Sequence, residues 1–148
     1  MSAPAIYPEA VLDHYRRPRH RGALAACTHA ADGANPLCGD ALRIELRCRD
    51  GRIEALGFSG EACAIATATA SMLGGLVAGR GTGEVAALAA RFEQLVATGA
   101  HDAALGELNA LGALHRHPGR RKCALLPWAA LQAALDGTPA TTTETENA

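Results

Sequence analysis

Aromatic side chains are scarce in this 148-residue chain: two Phe, two Tyr and one Trp make up only 3% of it. The core must therefore be built from Ala, Leu, Ile and Val, and stacking platforms for single-stranded nucleic acid lack their material. An excess of charge of either sign is missing too. With 14 Lys and Arg against 15 Asp and Glu the formal net charge is -1, whereas a dedicated nucleic-acid binder is strongly basic. The one long uncharged stretch, Cys63 to Gly79, is interrupted by Thr, Ser and Gly, so no transmembrane helix is expected. The N-terminal segment has neither the basic n-region nor the apolar h-region of an export signal. Five cysteines, an odd number at irregular spacing, fit a reducing compartment better than a disulfide framework. These absences point to a soluble cytoplasmic protein whose partners include neither nucleic acid nor membrane.

Hydrophobic residues make up 49% of the chain, enough for one domain to bury a core and fold without a metal as a staple. There is no repeat and no interdomain linker, so residues 1–136 read as a single domain. Residues 137–148, Gly-Thr-Pro-Ala followed by Thr, Glu, Asn and Ala, read as a disordered polar tail.

A short amphipathic helix is predicted from Tyr7 to Tyr15, stopped by Pro18. Leu42, Ile44, Leu46 and Cys48 alternate with Arg43, Glu45 and Arg47, the period of a strand with one wet face. Asp50-Gly51 then gives a hairpin turn into a second strand over Arg52 to Phe58. From Cys63 onward Ile65, Ala68, Met72, Leu73, Leu76 and Val77 follow the helical period, which places Cys63 at the start of a buried helix. Further helices are predicted over Thr82 to Ala97, Asp102 to Leu111 and Cys123 to Leu135. The fold class is α+β: a small antiparallel sheet of about three strands packed against several helices.

Chemistry concentrates in the cysteines. Cys38 lies in the loop Asn35-Pro36-Leu37-Cys38-Gly39-Asp40, Cys63 at a helix start, and Cys123 after Arg120-Arg121-Lys122. With Asp40 they supply three soft sulfurs and one hard oxygen, the number of donors a tetrahedral zinc needs. The helix dipole is expected to favour the thiolate at Cys63, and a helix start together with basic neighbours to favour it at Cys123. Asp40 reads equally as a turn-capping carboxylate. The ligands are far apart in the chain, so their spacing carries no metal-finger signature. Cys48, in phase with the apolar strand face, and Cys27, in an Ala-rich stretch, read as structural. His115 and His117 read as exposed loop residues. The basic clusters 16–21 and 116–122 read either as solvated faces or as docking sites for an acidic partner.

The phrases Tyr7-Pro8-Glu9 through Asp13-His14-Tyr15 with Arg17-Pro18-Arg19, then Asn35-Pro36-Leu37-Cys38-Gly39-Asp40, Cys63-Ala64-Ile65 and Lys122-Cys123-Ala124, resemble the IscU/SufU family of iron-sulfur assembly proteins. The details resemble its SufU branch: Lys122 stands where IscU scaffolds usually carry a histidine, and the Leu-Pro-Pro-Val-Lys chaperone motif is absent. The long segment between Cys63 and Cys123 resembles the SufU insertion. One departure is Glu61-Ala62 before Cys63, where the family often has a glycine.

The resemblance implies that Cys38, Asp40, Cys63 and Cys123 bind Zn2+, with Arg120 matching the family arginine near the metal and sharing the catalytic role with Cys38. It implies a zinc-dependent sulfurtransferase that accepts persulfide sulfur from a pyridoxal-phosphate cysteine desulfurase of the SufS kind. The sulfur then passes to downstream iron-sulfur assembly proteins. In that mechanism the partner supplies a histidine to the zinc and so frees the cysteine matching Cys38. The alternatives are a scaffold on which the same residues hold a [2Fe-2S] cluster, with Cys123 as a rival sulfur acceptor, and a zinc domain without sulfur chemistry.

Overall fold

The computed structural model of the chain describes residues 8–143. Tyr7, the expected start of the first helix, lies outside them, as do residues 144–148 of the expected tail. Helix α1 (Glu9–Arg16) follows Pro8, and Val11 and His14 form its buried face. The sheet is a meander of β1 (His29–Asn35), β2 (Asp40–Arg49) and β3 (Arg52–Glu61), both pairings antiparallel. Asp50 and Gly51 close the β2–β3 hairpin with φ of 53° and 75°, two successive left-handed residues as a tight primed turn requires. Leu42, Ile44 and Leu46 are buried, while on the other face Arg43 pairs with Glu45 and Arg47 with Glu54. The expected α+β architecture and its central hairpin are thus present.

Two features of the sheet go beyond the alternation pattern. Strand β1, His-Ala-Ala-Asp-Gly-Ala-Asn, has almost no β-forming side chains. Small residues are needed there because the C-terminal helix α4 (Pro118–Asp136) packs close: a Cβ on Gly33 would stand 3.0 Å from Leu126 Cδ1 and 3.2 Å from Ala130 Cβ. The chain then returns as β4 (Ala140–Thr142), parallel to β1, giving the order β3-β2-β1-β4. This corrects the expectation of a tail without structure from residue 137. Backbone bonds hold the segment: Asp32 N–H donates to Pro139 O at 2.9 Å and Thr143 N–H to Ala34 O at 3.0 Å.

Helix α2 (Ala64–Val77) is buried on nearly every side, and its hydroxyls are all bonded: Thr69 Oγ1 donates to Ile65 O at 2.7 Å, Thr67 Oγ1 to Ala62 O at 3.2 Å, and Ser71 Oγ accepts from Arg19 N–H at 2.8 Å. A short 3-10 turn (Thr82–Glu84) leads into α3 (Val85–Thr98), as the helical period predicts. The next segment, Ala103–Arg116, is not the expected α-helix but 3-10 turns broken at Gly106, where φ is 53° and ψ -127°. Phe92 of α3 and Trp128 of α4 meet in the core with ring centroids 5.5 Å apart. Helix α4 starts at Pro118, five residues before the predicted start at Cys123, because a proline fits the first turn without losing a needed donor. Among the described residues no helix is long and apolar enough to cross a membrane.

Candidate metal centre

At one end of the sheet, β1 and β2 are joined by the Pro36–Gly39 loop. Asn35 and Asp40 face each other in register, Cys38 N–H donates to Asn35 O at 3.2 Å, and Gly39 takes a φ of 73°. This tight loop leaves Cys38 exposed at its tip beside Leu37, which is 74% exposed. Asp40, the first residue of β2, is turned inward and only 3% exposed. The next strand reaches the same end through Gly60, whose φ of 113° carries the chain to Cys63. A Cβ there would stand 2.4 Å from Ala41 O. The positive-φ glycine thus stands just upstream of Glu61-Ala62, which need no unusual backbone themselves.

Cys63 is the N-cap of α2, as its place at the head of the helical pattern predicts, and its Sγ accepts from Ala66 N–H at 3.4 Å. Its backbone N–H donates to Asp40 Oδ1 at 2.7 Å. Asp40 is therefore a capping carboxylate after all, but across the fold rather than within its own turn. Its other oxygen, Oδ2, is buried with no hydrogen-bond partner among the described residues. Cys123 enters from the second turn of α4 and is fully buried.

Ligand atoms of Cys38, Asp40 and Cys123 all lie within 4.8 Å of one another. Cys123 Sγ–H donates to Cys38 Sγ at 3.5 Å, and Cys63 stands outside that trio but hydrogen-bonds to Cys123. A zinc ion fits these residues on two grounds: a donor set of three sulfurs and one carboxylate, and a buried carboxylate oxygen that no donor among the described residues satisfies.

The thiols share their protons unequally. The hydrogen bond with Cys123 is the main reason the Cys63 thiol drops to about 7, with the α2 amides helping and burial opposing. Cys123 is pushed up, first by the bond that favours Cys63, then by burial and the neighbouring sulfurs. This corrects the expectation of a lowered Cys123 thiol. The helix begins too far upstream for its dipole to act strongly at Cys123, and the adjacent thiolate outweighs the basic residues before it.

Other sequence candidates fall elsewhere. Arg120 is half-buried in the first turn of α4, three residues before Cys123 and so on the same helix face. Arg121 donates to His115 O at 2.7 Å, and His115 bonds Gly112 O, so neither is part of the trio. Cys48 packs against the core, whereas Cys27 is exposed, its Sγ–H donating to His29 O at 3.2 Å. The first basic cluster is partly engaged within the chain. Arg17 and Arg19 both pair with Asp13, and Arg21 lies over the Phe58 ring at 5.8 Å.

Two features escaped sequence reasoning. His14 is buried between Ser71 Oγ at 2.7 Å and Glu107 Oε2 at 3.1 Å, tying α1 to α2 and the 3-10 segment. Asn35, read as loop punctuation, is fully buried with Nδ2 3.8 Å from Cys123 Sγ. No periodicity marks either residue, since each partner lies far away in the chain.

Comparison with known proteins gives a consistent result. The NifU-like N-terminal domain family matches residues 6–136. The chain is 36% identical over 132 residues to the iron-sulfur cluster assembly scaffold protein IscU of Streptococcus pyogenes, covering 88% of this chain and 82% of that one. It is 32% identical over 129 residues to the zinc-dependent sulfurtransferase SufU of Bacillus subtilis, covering 86% and 87%. Among solved structures, one described as an iron-sulfur cluster assembly scaffold for the SUF system of Fervidobacterium islandicum superposes with a TM-score of 0.83 at 25% identity. That superposition covers 90% of this chain and 99% of the other.

Proposed function

This chain belongs to the NifU-like N-terminal domain family, the IscU/SufU iron-sulfur cluster assembly proteins, and on that premise we propose that it is a zinc-dependent sulfur acceptor. The observation that carries the proposal is the unequal exposure of the cluster. Cys63 and Cys123 are partly or fully covered, while Cys38 stands exposed on a loop. A sulfur that must meet a partner's cysteine needs that position.

In the proposed reaction the Cys38 thiolate attacks the outer sulfur of a cysteine persulfide on a desulfurase. The partner's S–S bond breaks and the partner cysteine leaves as a thiolate. A new S–S bond forms on Cys38, with no net change in oxidation state. Cys38, Asp40, Cys63 and Cys123 would hold the zinc, which when bound would keep the thiolates deprotonated at neutral pH while moderating their reactivity. Three thiolates and a carboxylate around a divalent ion leave a formal charge of about -2, which the Arg120 to Lys122 segment offsets. Arg120, on the Cys123 face of α4, is the residue we assign to that task.

The scaffold reading is supported by the similarity to the IscU of Streptococcus pyogenes and to the SUF-system scaffold structure of Fervidobacterium islandicum, and the same donors suit a [2Fe-2S] cluster. Metal content, the ultraviolet-visible spectrum and stimulation of a cysteine desulfurase separate the two. About one colourless zinc per chain, with strong stimulation lost in Cys38→Ser but kept in Cys27→Ser, is expected. A brown protein carrying iron and sulfide with little stimulation would establish the scaffold instead.

A further inference from the structure

Asn35 ends β1 in register with Asp40 and is 0% exposed. Its backbone carbonyl accepts from Cys38 N–H, and its side-chain Nδ2 donates to Cys123 Sγ at 3.8 Å. Its Oδ1 is buried with no hydrogen-bond partner among the described residues. For the fold alone this is an unfavourable choice, because a buried acceptor without a donor costs free energy that a small apolar side chain avoids. Toward a sulfur carrying negative charge it is favourable, since an N–H aimed at a thiolate forms a charge-assisted bond.

The other sulfurs and the carboxylate place Asn35 in a pattern. Asp40 Oδ1 accepts from Cys63 N–H and Cys63 Sγ from Ala66 N–H, and Asn35 supplies the corresponding donor to Cys123. Cys38 Sγ receives no N–H among the described residues, only the Cys123 thiol. Three of the four candidate donor groups are therefore anchored by amides, and the exposed one is not.

We propose that Asn35 is a positioning residue of the metal centre, whose amide anchors the Cys123 thiolate and so leaves Cys38 as the ligand free to exchange. The proposal rests on the zinc reading above. It makes Asn35 a residue kept for the sulfur at the expense of the fold, which separates it from a structural role.

The test measures zinc affinity by competition with a chromogenic chelator, and thermal unfolding of the metal-free protein, for wild type, Asn35→Ala and Asn35→Asp. Asn35→Ala is expected to bind zinc at least about tenfold more weakly, while its metal-free form unfolds at the wild-type temperature or above. Asn35→Asp, which sets a carboxylate against the sulfur, is expected to weaken zinc binding further. Unchanged zinc affinity overturns the proposal, and so does a metal-free Asn35→Ala chain that is unfolded. Where affinity and stability fall together, wild type loaded with the NMR-active isotope of cadmium decides. An Asn35 Nδ2 proton coupled to the metal through sulfur supports the proposal, and an amide unchanged by loading overturns it. A wild-type chain that binds neither zinc nor cadmium overturns the zinc reading and this proposal together, whereas normal binding with unaffected variants overturns this proposal alone.

Discussion

The two oxygens of Asp40 stand in different settings, and substitution separates them. Oδ1 holds the backbone N–H of Cys63 at 2.7 Å, while Oδ2 is buried without a donor among the described residues. A weak-link view of Asp40 as the hard ligand among soft ones predicts that Asp40→Ala changes metal binding or sulfur transfer more than folding. The structure shifts that expectation, since the alanine also orphans a partly buried amide, at a cost of about 1–3 kcal/mol. Asp40→Asn keeps an acceptor for Cys63 and removes only the charge. Thermal unfolding of the metal-free proteins is expected to show Asp40→Asn close to wild type and Asp40→Ala lower. Desulfurase stimulation is expected to be altered in both. Equal stability losses in the two variants would show that the charge, not the amide contact, is what the fold uses.

Elements meet at the site through a few backbone positions that accept only one kind of residue. Gly60 combines a φ of 113° with the carbonyl of Ala41 at 2.4 Å and Leu42 Cα at 2.9 Å from where a Cβ would stand. These are backbone atoms and cannot rotate away. Gly60→Ala is therefore expected to cost about 3 kcal/mol or more, adding strained backbone to overpacking, and to splay β2 from β3 where Asp40 and Cys63 meet. Denaturant unfolding measures the loss. A Gly60→Ala protein with wild-type stability would mean that this end of the sheet relaxes freely. Gly51, at φ 75° with open space around it, meets no such backbone contact and sits at the opposite end of the hairpin.

Among the described residues the apolar core forms one cluster from Val11 to Ala134, in which Cys123 is the one fully buried cysteine among many aliphatic side chains. A metal present at a thousandfold excess over its dissociation constant adds about 4 kcal/mol to a folded state that alone binds it. Chelation is therefore expected to lower the unfolding temperature while leaving the far-ultraviolet circular dichroism of α2, α3 and α4 intact. Loss of the helical signal at room temperature on chelation would show that the cluster staples the fold, contrary to the size and continuity of its core.

Local chemistry made much of this chain legible as text. Alternation over Leu42 to Cys48 and the Asp50-Gly51 turn define the central hairpin, because period and turn type are properties of neighbouring residues. Cys63 reads as a helix start for the same reason, and the Cys-Gly-Asp loop announces a pair of donors on one turn. What needed three dimensions is whatever depends on residues remote in the chain. Strand β1 exists because its small residues let α4 approach, and β4 because the chain after that helix returns to an open edge. The rise of the Cys123 thiol follows from sulfurs that only folding brings together. So does the role of Asn35, whose local surroundings say turn while its side chain answers to a cysteine on another element. A pattern of neighbours encodes helices, strands and turns; electrostatics and packing between distant segments exist only once the chain has closed on itself.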